Sequence, residues 1–62
     1  METILKELRK EKNMTQEELA EKSGVSRVTI ADIERGIIRS TTIGTLKKLA
    51  DALEVSPSVF LP

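Results

Sequence analysis

The feature that most constrains this chain is a pair of helix start signals separated by a glycine. Thr15 and Glu18 have the spacing of a capping box, in which each side chain accepts a hydrogen bond from the other residue's backbone N–H. Gly24 suits the left-handed conformation that ends a helix, and Ser26 suits the cap of the next helix. The pattern predicts two short helices joined by a tight turn, a helix-turn-helix over residues 15–35.

Apolar residues at helical spacing predict further helices on both sides of this unit. The first covers Thr3 to Lys12, and Asn13 is expected to end it in the left-handed conformation. The fourth covers Ile43 to Leu53, and Ser56 followed by Pro57 begins a final helical turn. The buried stripe of the fourth helix is expected to consist of Ile43, Leu46, Leu49, Ala50 and Leu53.

The length and composition narrow the class of protein. The 62 residues suffice for one domain with a modest core, so residues 1–62 are expected to form one compact, all-α domain of four to five helices. The sequence has no His, Cys, Trp or Tyr, and we therefore expect no enzymatic activity, no metal and no cofactor. The missing cysteine, the lack of a leader pattern and the short apolar runs predict a cytoplasmic protein without membrane contact.

The charges balance overall but are unevenly distributed, with 10 basic and 10 acidic residues. Residues 25–48 carry five basic and two acidic groups, whereas residues 1–24 carry five basic and six acidic, and residues 49–62 carry only two acidic groups. A local positive surface of this kind is compatible with phosphate binding, although long-range attraction is expected to be weak.

Several segments together resemble the phage repressor and Cro family of helix-turn-helix regulators. They are TQEELA at 15–20, GVS at 24–26, IADIERG at 30–36 and LADALEVS at 49–56. The resemblance implies a lambda-repressor-like fold and a sequence-specific DNA-binding transcriptional regulator, in most cases a repressor. It also implies a homodimer on a palindromic operator in double-stranded DNA, and no small-molecule ligand is evident.

The resemblance implies that the helix at 27–35 enters the major groove, which at about 12 Å wide admits a helix of about 10 to 12 Å diameter. Leu19, Val25, Ile30 and Ile33 are expected to fill the core below it, with Ala20 where the two helices cross. The residues implied to face the bases are Arg27, Val28, Ala31 and Asp32. Their expected partners are a guanine edge for Arg27, a thymine methyl for Val28 and a cytosine amino group for Asp32.

The residues that the resemblance implies at backbone phosphates are Gln16, Ser26, Thr29, Arg35 and Arg39. For Gln16, Ser26 and Thr29, capping and surface polarity are nearly as well supported as phosphate contact. Arg27 and Asp32 have the alternative of forming a solvated pair with no role in recognition. Arg9 and Glu34 resemble a family ion pair between the first helix and the end of the third, and here a structural role outranks recognition.

Two features leave a second function open. Ile37 and Ile38 follow Gly36, where the family usually has Lys or Arg, so at least one isoleucine is expected to contact another chain or the core. With the zero net charge, they favour an alternative, a helical protein-interaction module that does not bind DNA. The loop after α-helical residues 27–35 is expected to end at a cap on Thr41 or Thr42.

The possible dimer interface consists of Val55, Pro57, Val59, Phe60 and Leu61. Coverage of the core by Val59 and Phe60 is an equal alternative.

Overall fold

A computed structural model of the chain describes residues 3–37 and 41–60. The helices in chain order are α1 (Ile4–Glu11), α2 (Gln16–Ser23), α3 (Arg27–Glu34), α4 (Ile43–Leu53) and a 3₁₀ helix (Pro57–Phe60). The described ranges contain no strand, so the predicted all-α class is confirmed. The predictions made for Ile38, Arg39 and Leu61 lie outside the described residues.

Each α-helix begins at a hydroxyl residue that accepts a hydrogen bond from the backbone N–H three residues later. These caps are Thr3, Thr15, Ser26 and Thr42. Thr15 also forms the predicted capping box, because the Glu18 carboxylate accepts from the Thr15 backbone N–H at 2.9 Å. Of the two residues considered for the start of α4, the cap is Thr42 rather than Thr41. A cap of this type typically stabilises a helix by about 1 kcal/mol.

The helix ends depend on residues in the left-handed conformation. These are Asn13, Gly24, Gly36 and Glu54, with φ between 56° and 86°. After α3, the Gly36 N–H donates to the Ile33 carbonyl at 3.0 Å and the Ile37 N–H donates to the Asp32 carbonyl at 2.8 Å. This pair of bonds is a Schellman motif, and it fixes the direction in which the chain leaves α3.

The core lies between the four α-helices. Its largest fully buried side chains are Leu5, Leu19, Ile30, Leu49 and Leu53. Ile33 and Val25 are also buried, and Ala20 packs against this cluster from α2. The placement of Ile43 on the buried stripe of α4 was wrong, because Ile43 is 65% exposed. It is the first residue of α4, and the stripe becomes fully buried only two turns later at Leu49.

α2 packs against both α3 and α4, while α1 packs against α3 and the 3₁₀ helix. α3 therefore packs against α1 and α2. Among the helices of the described ranges, the longest has 11 residues and none combines the length and apolar character needed to cross a membrane.

Candidate nucleic-acid interface

α3 has one buried side and one accessible side. Ile30 is 0% exposed and Ile33 is 7% exposed, so these two residues anchor α3 on the core as predicted. The helical repeat directs the opposite side away from the core, and we call it the outer face of α3. It consists of Arg27, Val28, Ala31 and Asp32. Arg27 and Val28 are exposed, whereas Ala31 and Asp32 are partly covered.

Asp32, on the outer face, forms an ion pair with a neighbouring arginine. The Asp32 Oδ1 atom lies 3.6 Å from Nη1 of Arg35, which is three residues later and just beyond the last turn of α3. The alternative pairing of Asp32 with Arg27 is therefore not the one the structure records. An exposed pair of this length is worth about 0 to 1 kcal/mol, so a ligand can separate the two groups at little cost.

The beginning of α3 carries two hydroxyl groups that bind each other. The Ser26 Oγ atom accepts from the Thr29 backbone N–H at 3.1 Å and donates to the Thr29 Oγ1 atom at 2.9 Å. Because the Thr29 oxygen is the acceptor of that second bond, its own hydroxyl proton stays available for an external acceptor. Capping and ligand binding are thus compatible roles for this pair.

A network of polar side chains joins α1, the start of α2 and the end of α3. The Arg9 guanidinium forms two bonds with the Glu34 carboxylate, Nε to Oε2 at 2.7 Å and Nη2 to Oε1 at 3.1 Å. Arg9 Nη1 also donates to the Met14 carbonyl at 2.8 Å. The side chains of Arg9 and Glu34 are only 13% and 5% exposed. The predicted ion pair is therefore formed, and it is bidentate and mostly shielded from water.

Glu34 also accepts a hydrogen bond from Gln16, whose Nε2 atom lies 3.1 Å from Oε1. Burial by itself would raise the pKa of Glu34, but hydrogen bonds from Arg9 and Gln16, with the charges of Arg9 and Lys6, outweigh it and lower the pKa. The carboxylate thus stays ionised at neutral pH. The side-chain amide nitrogen of Gln16 has two hydrogens, so one remains for another acceptor.

The structure brings some predicted contact residues together. Gln16, from the start of α2, and Arg27, from the start of α3, line the same surface depression. Thr29 and Asp32 line a second depression beside α3. The link between Gln16 and Glu34 was missed by sequence reasoning, because the two residues are 18 positions apart and no local pattern connects them.

The predicted dimer residues differ in how far they are buried. Val55 and Phe60 pack against the core, as the alternative interpretation expected for Phe60, and Pro57 is half-buried. Val59 is 39% exposed, and Ile4 from α1 is 49% exposed. An open, mainly apolar groove of about 440 Å³ is lined by Thr3, Ile4, Leu5, Ile33, Leu46, Val59 and Phe60. We call it the α1 groove.

The α2–turn–α3 arrangement, anchored on a four-helix core, defines a helix-turn-helix domain. Residues 5–60 match the family model described as "Helix-turn-helix". The chain belongs to the phage repressor and Cro type of helix-turn-helix family, as the sequence segments indicated.

Three relatives illustrate the similarity. The HTH-type transcriptional regulator SinR of Bacillus subtilis is 39% identical over 57 residues, which are 92% of this chain and 51% of that protein. The immunity repressor protein of Bacillus phage phi105 is 40% identical over 57 residues, covering 92% of this chain and 39% of that protein. The HTH-type transcriptional regulator SutR of Escherichia coli is 39% identical over 61 residues, covering 98% and 34% respectively.

The chain thus spans between about a third and a half of the length of these three relatives. No solved structure matches this chain.

Proposed function

We propose that this domain is a sequence-specific DNA-binding unit that regulates transcription, most simply as a repressor, by placing α3 in the major groove. The observation that carries the proposal is the division of α3 into an anchored side and an accessible side. Ile30 is 0% exposed, whereas Val28, two residues earlier, is 68% exposed. An exposed helix of this kind, preceded by a helix and a tight turn, has the dimensions that the groove admits.

The chemistry of the outer face suits base edges. Arg27 carries a planar guanidinium that can donate two hydrogen bonds to guanine O6 and N7. Val28 offers an apolar contact for a thymine methyl group, and Asp32 accepts from a cytosine amino group after its weak pairing with Arg35 is released. Ala31 has a short side chain, which lets the backbone of α3 approach the bases.

The phosphate contacts in this proposal surround the outer face. Support for Gln16 and Thr29 comes from the hydrogen that each keeps available after its internal hydrogen bond. Ser26 orients Thr29, and Arg35 supplies a cation at the end of α3. The fifth proposed contact is Arg39, which lies outside the described residues.

The regulator is proposed to act as a homodimer on a palindromic operator in the cytoplasm. Regulators of this kind place the two recognition helices in successive major grooves, about one helical turn apart. Val59 and Ile4 support the proposal, because both expose apolar surface beside the α1 groove. A two-fold axis through this groove would bury each surface against its counterpart.

The proposal is tested by selecting bound sequences from a random duplex pool and measuring affinity by fluorescence anisotropy at two salt concentrations. We expect a recoverable palindromic site whose affinity falls as salt rises, because phosphate binding releases counterions. The interaction-module alternative, favoured by the zero net charge, predicts no selected sequence. Recovery of no sequence preference would reject the DNA-binding proposal in favour of that alternative.

A further inference from the structure

The second depression beside α3 contains an apolar residue that the proposed DNA contacts do not use. It has a volume of about 220 Å³ and is lined by Val28, Thr29, Asp32, Ile37 and Thr41. A water molecule occupies about 30 Å³ in the liquid, so this space is large enough for more than one solvent molecule. Val28 and Asp32 belong to the outer face of α3, and the depression is therefore continuous with the surface proposed to meet the bases.

Ile37 is held in this position by the backbone. Its N–H donates to the Asp32 carbonyl at 2.8 Å, in the Schellman motif that Gly36 makes possible with a φ of 86°. In this motif the residue in the place of Ile37 commonly packs on an apolar residue in the place of Asp32. In this chain, however, the residue at that position is the charged Asp32. Ile37 instead shares the depression with Val28, one helical turn before Asp32, and remains only half-buried.

The lining combines apolar walls with hydroxyl groups. Val28 and Ile37 supply methyl groups, while Thr29 keeps a hydroxyl proton that it does not donate to Ser26. Among the four bases, thymine presents to the major groove a methyl group beside a carbonyl acceptor, and cytosine presents an amino donor without a methyl group. The methyl groups of Val28 and Ile37 match the methyl group of thymine, and the Thr29 hydroxyl stays with the phosphate contact proposed for it.

We infer that Ile37 is a further specificity-determining residue, which forms with Val28 a cleft for the 5-methyl group of a thymine in the operator. The inference rests on the proposed function, since it requires α3 to lie in the major groove. It assigns a base-reading role to a position where cationic side chains are usual in the family. It also gives a role to an apolar side chain that does not belong to the core cluster.

The test uses the duplex selected by the whole chain, with each thymine replaced in turn by deoxyuridine, which removes only the methyl group. Dissociation constants are measured for the unchanged protein, for Ile37→Ala and for the control Ile43→Ala, which truncates an isoleucine that is 65% exposed outside the depression. At one thymine in each half-site, deoxyuridine is expected to weaken binding of the unchanged protein roughly fourfold, the factor for one buried methyl group. Ile37→Ala is expected to reduce this loss to less than about twofold, and Ile43→Ala to preserve it.

The outcomes separate this inference from the proposed function. If the selected duplex is bound but Ile37→Ala loses the same factor at every thymine as the unchanged protein, the thymine cleft is rejected and DNA binding stands. If no duplex is selected, both fall. Helicity and melting temperature report whether Ile37→Ala folds. Ile37→Val removes one methyl group while keeping a branched side chain, so it provides the same comparison with a smaller expected change.

Discussion

Gln16, the first residue of α2, donates its side-chain amide to the carboxylate of Glu34, the last residue of α3, at 3.1 Å. This bond connects the two ends of the helix-turn-helix. Arg9 binds the same carboxylate from α1, so one partly buried carboxylate connects three helices. The orientation of α3 on the core is consequently set by polar bonds as well as by Ile30 and Ile33 below it.

Replacing Arg9 by Ala is expected to destabilise the domain by about 1 to 3 kcal/mol, since it leaves the partly buried Glu34 charge without its main partner. The measurement is the free energy of unfolding by urea. Arg35→Ala is a matched control, because the Arg35 side chain is 68% exposed and its pairing is weak, and it is expected to change stability by less than about 0.5 kcal/mol. Equal effects of the two substitutions would show that the pair between Arg9 and Glu34 has no special role.

The lowered pKa of Glu34 predicts acid sensitivity. The folded state lowers the pKa of this carboxyl group below its ordinary value of 4.5. Its contribution to stability is therefore fully present above pH 4.5 and is lost as the pH falls through the pKa of the folded state. The difference in unfolding free energy between the unchanged protein and Glu34→Gln should therefore shrink as the pH falls from neutrality to below the pKa of Glu34 in the folded state. A difference that stays constant over the acid range would contradict the assignment.

Gln16→Ala is expected to weaken binding to all duplexes by a similar factor, roughly two- to tenfold, because it removes the proposed phosphate contact and the bond to Glu34 without touching a base. The salt dependence should change little, since glutamine is neutral. The measurement compares affinities for the selected site and for an unrelated duplex. A loss confined to the selected site would mean that Gln16 reads bases rather than phosphate.

The α1 groove is expected to hold the second protomer. Val59→Asp places a charge at its exposed edge and should abolish cooperative binding to the full palindrome while leaving affinity for a single half-site within about twofold. Ile43→Asp, at another exposed isoleucine outside the groove, serves as the control. Both quantities can be measured by titrating full-site and half-site duplexes. Unchanged cooperativity in Val59→Asp would exclude this groove as the interface.

Local signals in the sequence predicted most of the fold. The caps at Thr15 and Ser26 and the left-handed residues at Gly24 and Gly36 each act within a few positions, so their spacing determined the limits of α2 and α3. The exposure of Ile43 was not predicted, because periodicity identifies a helix face but not how far along the helix the core extends.

The site was less predictable than the helices. Arg9 and Glu34 were paired through the family resemblance, whereas the bond from Gln16 depends on how α2 and α3 cross. The ion-pair partner considered for Asp32 was Arg27, five positions away, whereas the structure records Arg35, three positions away, because residues at i,i+3 lie side by side on a helix. Interactions between distant positions require the tertiary arrangement and have no signal in a single sequence.

The central claim is that the outer face of α3 reads bases, and Arg27 tests it most directly. Sequence selection from a random duplex pool should be performed with the unchanged protein and with Arg27→Ala. We predict that the substitution removes the preference for guanine at one position of each half-site, at a cost of about 1 to 3 kcal/mol for the original site, and leaves the other positions unchanged. An identical selected sequence for both proteins would contradict the claim.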